Sequence, residues 1–339
     1  MRKCGCPRPS RKISVNHVHI VGFGLAGALL SWELRLLGVA VSYHDYAEEH
    51  TSSRVAAGMI TPITGRRLKP TWRGAELTQL ARLTYEAIEH THDVELWRDW
   101  TLRRVFREEI MNTWFHERLQ RGEYHPLEVN EIIPGTYENV EYPFGGFSHN
   151  GVAIVDIPML IDVLKKGTVQ SVSQPLLTVD CTGYRALQDP RWDWLPIEPS
   201  KGEILDVTIP GLQLDHVLTN GTWILPVRGE HFRIGATHNW DDQDPRPTGE
   251  ARVKLLEDAR RLVPHEIYVD EQKAALRPST RFKRPLVGIH PLEPTRAVFN
   301  GLGTKGALQG PWAAQQLARH IVYGELLDPD IDIKRWWKQ

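Results

Sequence analysis

Short apolar runs and helical periodicity alternate along the chain from residue 17 onward. His17–Val21 (HVHIV) reads as a buried strand, and GFGLAG follows it at once. Residues 28–37 then read as a helix, with Gly38 where a left-handed cap is wanted. Val39, Val41 and Tyr43 alternate in a second strand that ends on Asp45. Strand, glycine turn, helix and strand in this order predict a βαβ unit.

Each residue type in that unit has a physical task. Gly22 allows the tight turn, Gly24 lets backbone approach a pyrophosphate, and Gly27 brings helix against strand. Phe23, Leu25 and Ala26 carry the backbone of the turn and helix start, where free N–H groups and partial positive charge face phosphates. Asp45 would accept hydrogen bonds from a ribose diol and repel a 2′-phosphate. The unit predicts a dinucleotide site.

Three further segments extend the site. Residues 51–67 (TSSRVAAGMITPITGRR) hold Ser52, Ser53, Arg54, Ala56, Ala57, Gly58 and Met59, mostly small enough for backbone to approach a flat ring. Residues 179–183 (VDCTG) read as an apolar strand ending in the small turn Thr182-Gly183. Gly301, Gly303, Thr304, Lys305 and Gly306 form a second glycine-rich turn, opening a helix that runs to about Tyr323. Glycine-rich helix starts at both ends of one chain point to a cofactor clamped from both ends.

Elsewhere the pattern predicts a helix with Leu77, Leu80, Ala81 and Ile88 on one face, then a strand over 100–107. A second helix places Ile110, Met111, Trp114, Phe115 and Leu119 on one buried stripe. Strands follow near 204–207 and 217–225, with a hairpin turning at 228–230. A helix after Thr248 points Leu255, Ala259 and Leu262 inward and ends before Pro264. DPDIDI at 328–333 reads as a solvated acidic patch.

Charge and cysteine usage exclude several classes. Lys and Arg number 41 against 42 Asp and Glu, a net charge of −1. Binding nucleic acid through a broad basic field is therefore disfavoured. The three cysteines form no C-x-x-C, which excludes a dithiol motif and a zinc ribbon. No apolar run approaches the ~20 residues of a membrane helix. Residues 1–14 are basic without an apolar stretch behind them, so a disordered tail and a cytoplasmic protein are expected.

With these motifs in place, the chain resembles the D-amino-acid oxidase superfamily. It looks like a member of the branch holding glycine oxidase, sarcosine oxidase and the oxidoreductase domain of a tRNA wobble-uridine modifying enzyme. The resemblance runs from His17 nearly to the end and includes ILPVRGEHFRIGATH (224–238) and LRPST (276–280). The Gly-Asp pair of phenol-hydroxylase-like flavoproteins is absent. The resemblance implies an α/β fold: a Rossmann-like FAD-binding domain with an inserted antiparallel-sheet (α+β) substrate domain. FAD binding is assigned to 15–75, 150–200 and 272–339, and the substrate domain to 76–149 and 201–271. FAD is expected to be non-covalent, since Thr304 and Lys305 stand where sarcosine oxidases carry the flavin-attaching cysteine. The stretch between Leu164 and Val179 is shorter than in relatives, so no adenine contact is assigned there.

The resemblance also places the chemistry. Arg277 in LRPST matches the position that holds a substrate carboxylate, a task suited to a planar guanidinium. The alternative is a solvent-facing arginine in a stretch with Arg281, Lys283 and Arg284. Lys305 would add positive charge at a helix start beside the reduced ring, or else be a solvated lysine. His238 would steer an amine's protonation state or serve as a structural histidine. Arg66, Arg67 and Lys69 read as a solvated loop, the alternative being a site for a second acidic group or a phosphate, and His90 and His92 lack a third metal ligand. The expected activity is oxidation of a small amine or amino acid by hydride transfer to flavin N5. The imine product then hydrolyses, and O2 or another acceptor reoxidises the flavin. Two alternatives are a tRNA wobble-uridine side-chain oxidoreductase and a flavin-binding protein with little turnover.

Overall fold

The computed structural model describes residues 15–46, 51–169 and 176–338. The expected basic tail and residues 170–175 of the shortened stretch lie outside the described residues. The helices are α1 (Leu25–Leu36), α2 (Ser52–Val55), α3 (Gly74–His92), α4 (Glu109–Gln120), α5 (Ile157–Lys165), α6 (Gly249–Arg260) and α7 (Gly306–Tyr323).

One sheet has five strands, in the order Leu286–Ile289, Arg296–Asn300, Leu177–Asp180, His17–Val21 and Ala40–His44. All neighbours run parallel except the first pair. The expected βαβ unit is therefore present, with α1 beginning at Leu25 rather than residue 28. Leu25 through Leu34 are all buried, the mark of a helix covered on every side. Gly38 takes φ +77 just past the helix, where an L side chain would be strained. The second strand departs from expectation. It buries Val41, Ser42 and Tyr43 in succession, because both of its faces are covered.

α7 explains why α1 is buried so completely. A Cβ on Gly306 would lie 2.9 Å from Leu25 Cδ2, and one on Gly310 would lie 2.7 Å from Leu29 Cδ1. Glycines four residues apart thus form a groove for two leucines of α1. Pro311 sits inside α7 and has no N–H for the Ala307 carbonyl. The buried Tyr85 hydroxyl of α3 donates to that carbonyl at 2.9 Å. A side chain from one helix replaces the bond that a proline removes from another.

The second sheet has nine strands. Its path runs Tyr268–Thr280, Ile197–Thr208, His231–Gly235, Trp223–Arg228, Val217–Thr219, Trp97–Val105, Gly146–Val155 and Met59–Ile60, with Val129–Ile132 also on Gly146–Val155. Pairing is antiparallel except between Val217–Thr219 and Trp97–Val105. Ile197–Thr208 and Tyr268–Thr280 run unbroken through the expected domain edges near 200 and 272.

Three expectations need correction. The single strand over 217–225 is two strands paired as a hairpin, with Gly221 at φ +119 in the turn. Its apolar pattern hid a turn that Asn220-Gly221 signals. On α4, Met111 and Phe115 are buried with Phe106 and Phe147, but Ile110 and Leu119 are 42% and 41% exposed. A short helix on an aromatic cluster needs only a narrow stripe. The DPDIDI segment is part of the fold: Ile331 and Ile333 are fully buried, and the Val287 N–H donates to the Ile331 carbonyl at 2.9 Å. Pro329 and Asp330 are exposed, Asp328 and Asp332 are half-buried, and Asp328 pairs with Arg73. No helix among the described residues is long and apolar enough to cross a membrane.

Tyr85→Phe should leave the Ala307 carbonyl buried and without its donor. The expected loss is about 1–3 kcal/mol of stability, measured by urea unfolding. Unchanged stability would show that the α7 carbonyl needs no partner.

Candidate active site

The first glycine turn is shaped as a cradle. Gly22 has φ +90, and a Cβ there would lie 2.7 Å from the Cys181 carbonyl oxygen. A Cβ on Gly27 would lie 2.3 Å from the Gly22 oxygen, so only glycine seats α1 on the strand. Ser53 Oγ accepts from the Leu25 N–H at 3.0 Å and would be 2.9 Å from a Cβ on Gly24. The 51–67 segment is thereby tied to the helix start. Gly58 (φ +67) lies so close to Val155 that a Cβ would be 1.9 Å from its carbonyl, and Ala57 and Met59 follow the backbone this fixes.

Asp45 closes the cradle. Its Oδ1 accepts from the Phe23 N–H at 3.2 Å, and its Oδ2 pairs with Lys165 of α5 at 2.7 Å. Burial alone would raise the Asp45 pKa. The hydrogen bonds from Lys165 and Phe23, with the charges of Lys165 and Arg54, outweigh it and hold the carboxylate below its ordinary range. Arg54 itself points at Asp162, 2.7 Å away, and not into the turn. Lys165 escaped the sequence reading because its pairing spans more than a hundred residues of chain.

The second glycine turn meets the first. Gly301 and Gly303 take φ +74 and +51, and the Gly303 N–H donates to the Pro278 carbonyl at 3.0 Å. Asn300 Nδ2 donates to the Gly183 carbonyl at 2.8 Å, drawing in the Thr182-Gly183 turn. Thr182 is held by Asp180, which accepts from both its N–H and its hydroxyl. Thr304 is exposed. Neither α1 nor α7 has an acidic residue in its first turn or a side-chain cap. Two helix N-termini with partial positive charge therefore converge on one place, which suits a diphosphate.

Beside this junction lie the expected chemical groups. The Arg277 guanidinium donates to the carbonyls of Thr237 (3.2 Å) and Lys201 (3.4 Å) and pairs with no carboxylate among the described residues. It lies over Gly202, where a Cβ would overlap it. Burial lowers its pKa to about 10. Lys305 folds back onto Thr71 Oγ1 (2.8 Å) and Thr64 Oγ1 (3.3 Å). Burial first, then the charges of Lys283 and Arg284, lowers its pKa to about 8. His238 is exposed, with its ring edge-on to Trp240. Its pKa is lowered by partial loss of solvent and then by Arg277 and Lys283. Gly202 was missed, although a glycine inside a strand can mark a close approach.

The remaining candidates lie apart. Arg66 pairs with Glu108, and Arg67 and Lys69 are exposed. His92 packs on Trp32. No group of three or more His, Cys, Asp or Glu that could hold a metal occurs among the described residues.

The model of the FAD dependent oxidoreductase family matches residues 150–320. The chain belongs to this family. FAD is thus its cofactor, and the glycine cradle and converging helix ends fit that group. The chain is 30% identical over 138 residues to the tRNA 5-methylaminomethyl-2-thiouridine biosynthesis bifunctional protein of Idiomarina loihiensis, covering 39% of this chain and 22% of that protein. In fold it is similar to iminodiacetate oxidase from Chelativorans sp. BNC1, with TM-score 0.78 and 19% identity over 94% of this chain and 98% of that one. Glycine oxidase from Geobacillus kaustophilus gives TM-score 0.76 and 20% identity over 95% and 98%.

Asp45→Ala should weaken FAD retention by about 1–3 kcal/mol, the cost of losing a charge-assisted hydrogen bond. Titration of apoprotein with FAD measures it. Equal affinity in the variant would remove Asp45 from ribose binding.

Proposed function

We propose that this chain oxidises a small amine that carries a carboxylate, at non-covalently bound FAD. The observation that carries the reading is Arg277: a desolvated guanidinium, seated on Gly202 and two carbonyls, that lacks an anionic partner among the described residues. Its neighbours Pro278 and Ser279 run along the second glycine turn. FAD supplies the two-electron acceptor. Arg277 would grip the carboxylate with its planar fork and fix the orientation of the amine. Lys305 and the α7 N-terminus would hold negative charge that gathers during transfer. His238, whose pKa is lowered first by burial and then by Arg277 and Lys283, would favour the uncharged form of an amine held beside it. Iminodiacetate and glycine, named in the similar structures, are both amines with carboxylates.

A second reading places the amine on a tRNA uridine, and the similarity to the tRNA-modifying protein favours it. Retention on tRNA at physiological salt would distinguish it.

Arg277→Lys keeps the charge and loses the fork. With an amine substrate found by anaerobic bleaching of the flavin, kcat/KM should fall by roughly 30- to 150-fold, about 2–3 kcal/mol. FAD content should stay at the wild-type level. Unchanged kinetics on a carboxylate-bearing amine would reject the role. Loss of FAD without a kinetic defect would make Arg277 part of the scaffold.

A further inference from the structure

A second buried cation lies far along the same sheet. Arg104, on the strand Trp97–Val105, is 8% exposed. Its Nε is buried without a partner, and no hydrogen bond or ion pair to its guanidinium occurs among the described residues. Burial, with Arg107 adding to the effect and Tyr124 opposing it, lowers its pKa to about 10. An unpartnered guanidinium in a protein interior is costly to keep. The structure therefore has to answer what it faces.

It faces a cavity of about 270 Å³, bordered by Arg66, Arg107, Glu108 and Asn220 and by the backbone of Gly65 and Gly221. The other charged groups there each have a counter-charge within reach, although Asp258 is shared by Arg107, Lys254 and Arg261. Glu108 is taken by Arg66. Arg107 donates to Asn220 Oδ1 at 2.8 Å and lies 3.3 Å from Asp258, a buried carboxylate that also accepts from Thr222 Oγ1. Arg104 alone among the cations bordering the cavity has no carboxylate beside it, and it borders open space. Gly65 and Gly221 take φ +74 and +119 and leave the walls free of side chains.

This place is separate from Arg277. In the sheet order, five strand steps separate Tyr268–Thr280 from Trp97–Val105. None of Lys201, Gly202 and Thr237, which seat Arg277, borders the cavity. On its other side the cavity adjoins the hairpin whose Thr64 holds Lys305, since Gly65 is the next residue.

We propose that the Arg104 cavity binds an oxyanion group, a carboxylate or a phosphate, at a site distinct from the one that holds the amine. A planar guanidinium binds either group through two parallel hydrogen bonds, and the desolvated setting strengthens them. The proposal does not depend on amine oxidation and can fail by itself.

The test is the anion dependence of thermal unfolding of the FAD-loaded protein at fixed ionic strength. Inorganic phosphate and succinate are titrated separately, with chloride as the control. The wild type should gain Tm saturably with at least one of the two. A response to phosphate alone identifies a phosphate site, to succinate alone a carboxylate site, and to both a general oxyanion site. Arg104→Met should raise Tm without anion, because a buried charge is gone, and abolish the anion response. Arg104→Lys should weaken the apparent affinity by roughly tenfold. Arg277→Lys should keep the full response, which separates this site from the amine site. No response of the wild type to either anion overturns the proposal whatever the variants do. An equal response in Arg104→Met, or in Arg104→Lys if the methionine variant does not fold, overturns it as well.

Discussion

Everything at the cofactor side depends on how closely two helix N-termini approach. α1 and α7 touch through Leu25 against Gly306 and Leu29 against Gly310, and α1 seats on its strand only because Gly27 has no side chain. Both ends carry partial positive charge, and neither is answered by an acidic residue in its first turn. Like-signed helix ends repel mildly in the empty protein. A diphosphate placed between them would reverse the sign of that interaction.

On the substrate side the deciding contrast is between paired and unpaired buried charge. Lys201 is almost wholly buried, yet it lies 2.7 Å from Asp242 and 3.6 Å from Glu203. Arg277, Lys305 and Arg104 have no acidic partner among the described residues. Burial lowers the pKa of each. Leaving three others without a counter-charge is costly, and an anion arriving beside any of them would be stabilised.

Much of this was legible in the sequence because it is local. The strand, turn and helix from His17, the left-handed Gly38, the helix from Gly306 to Tyr323 and the Thr248 cap each announce themselves within a few residues. What stayed hidden is long-range. Nothing near Tyr85 says that its hydroxyl completes α7 at a proline, nor does anything near Asp45 announce Lys165. The resemblance drew attention to Arg277, but that Gly202 makes its seat follows only from the register of two long strands. The turn at Asn220-Gly221 was local and still overlooked, since apolar residues flank it on both sides.

The most direct test of a carboxylate-bearing amine at Arg277 is a crystal structure of the FAD-loaded protein with a slow or unreactive substrate analogue. The carboxylate should lie within hydrogen-bonding distance of the Arg277 guanidinium, with the diphosphate of FAD at the junction of α1 and α7. An analogue bound elsewhere, with Arg277 still resting only on the Lys201 and Thr237 carbonyls, would contradict the assignment.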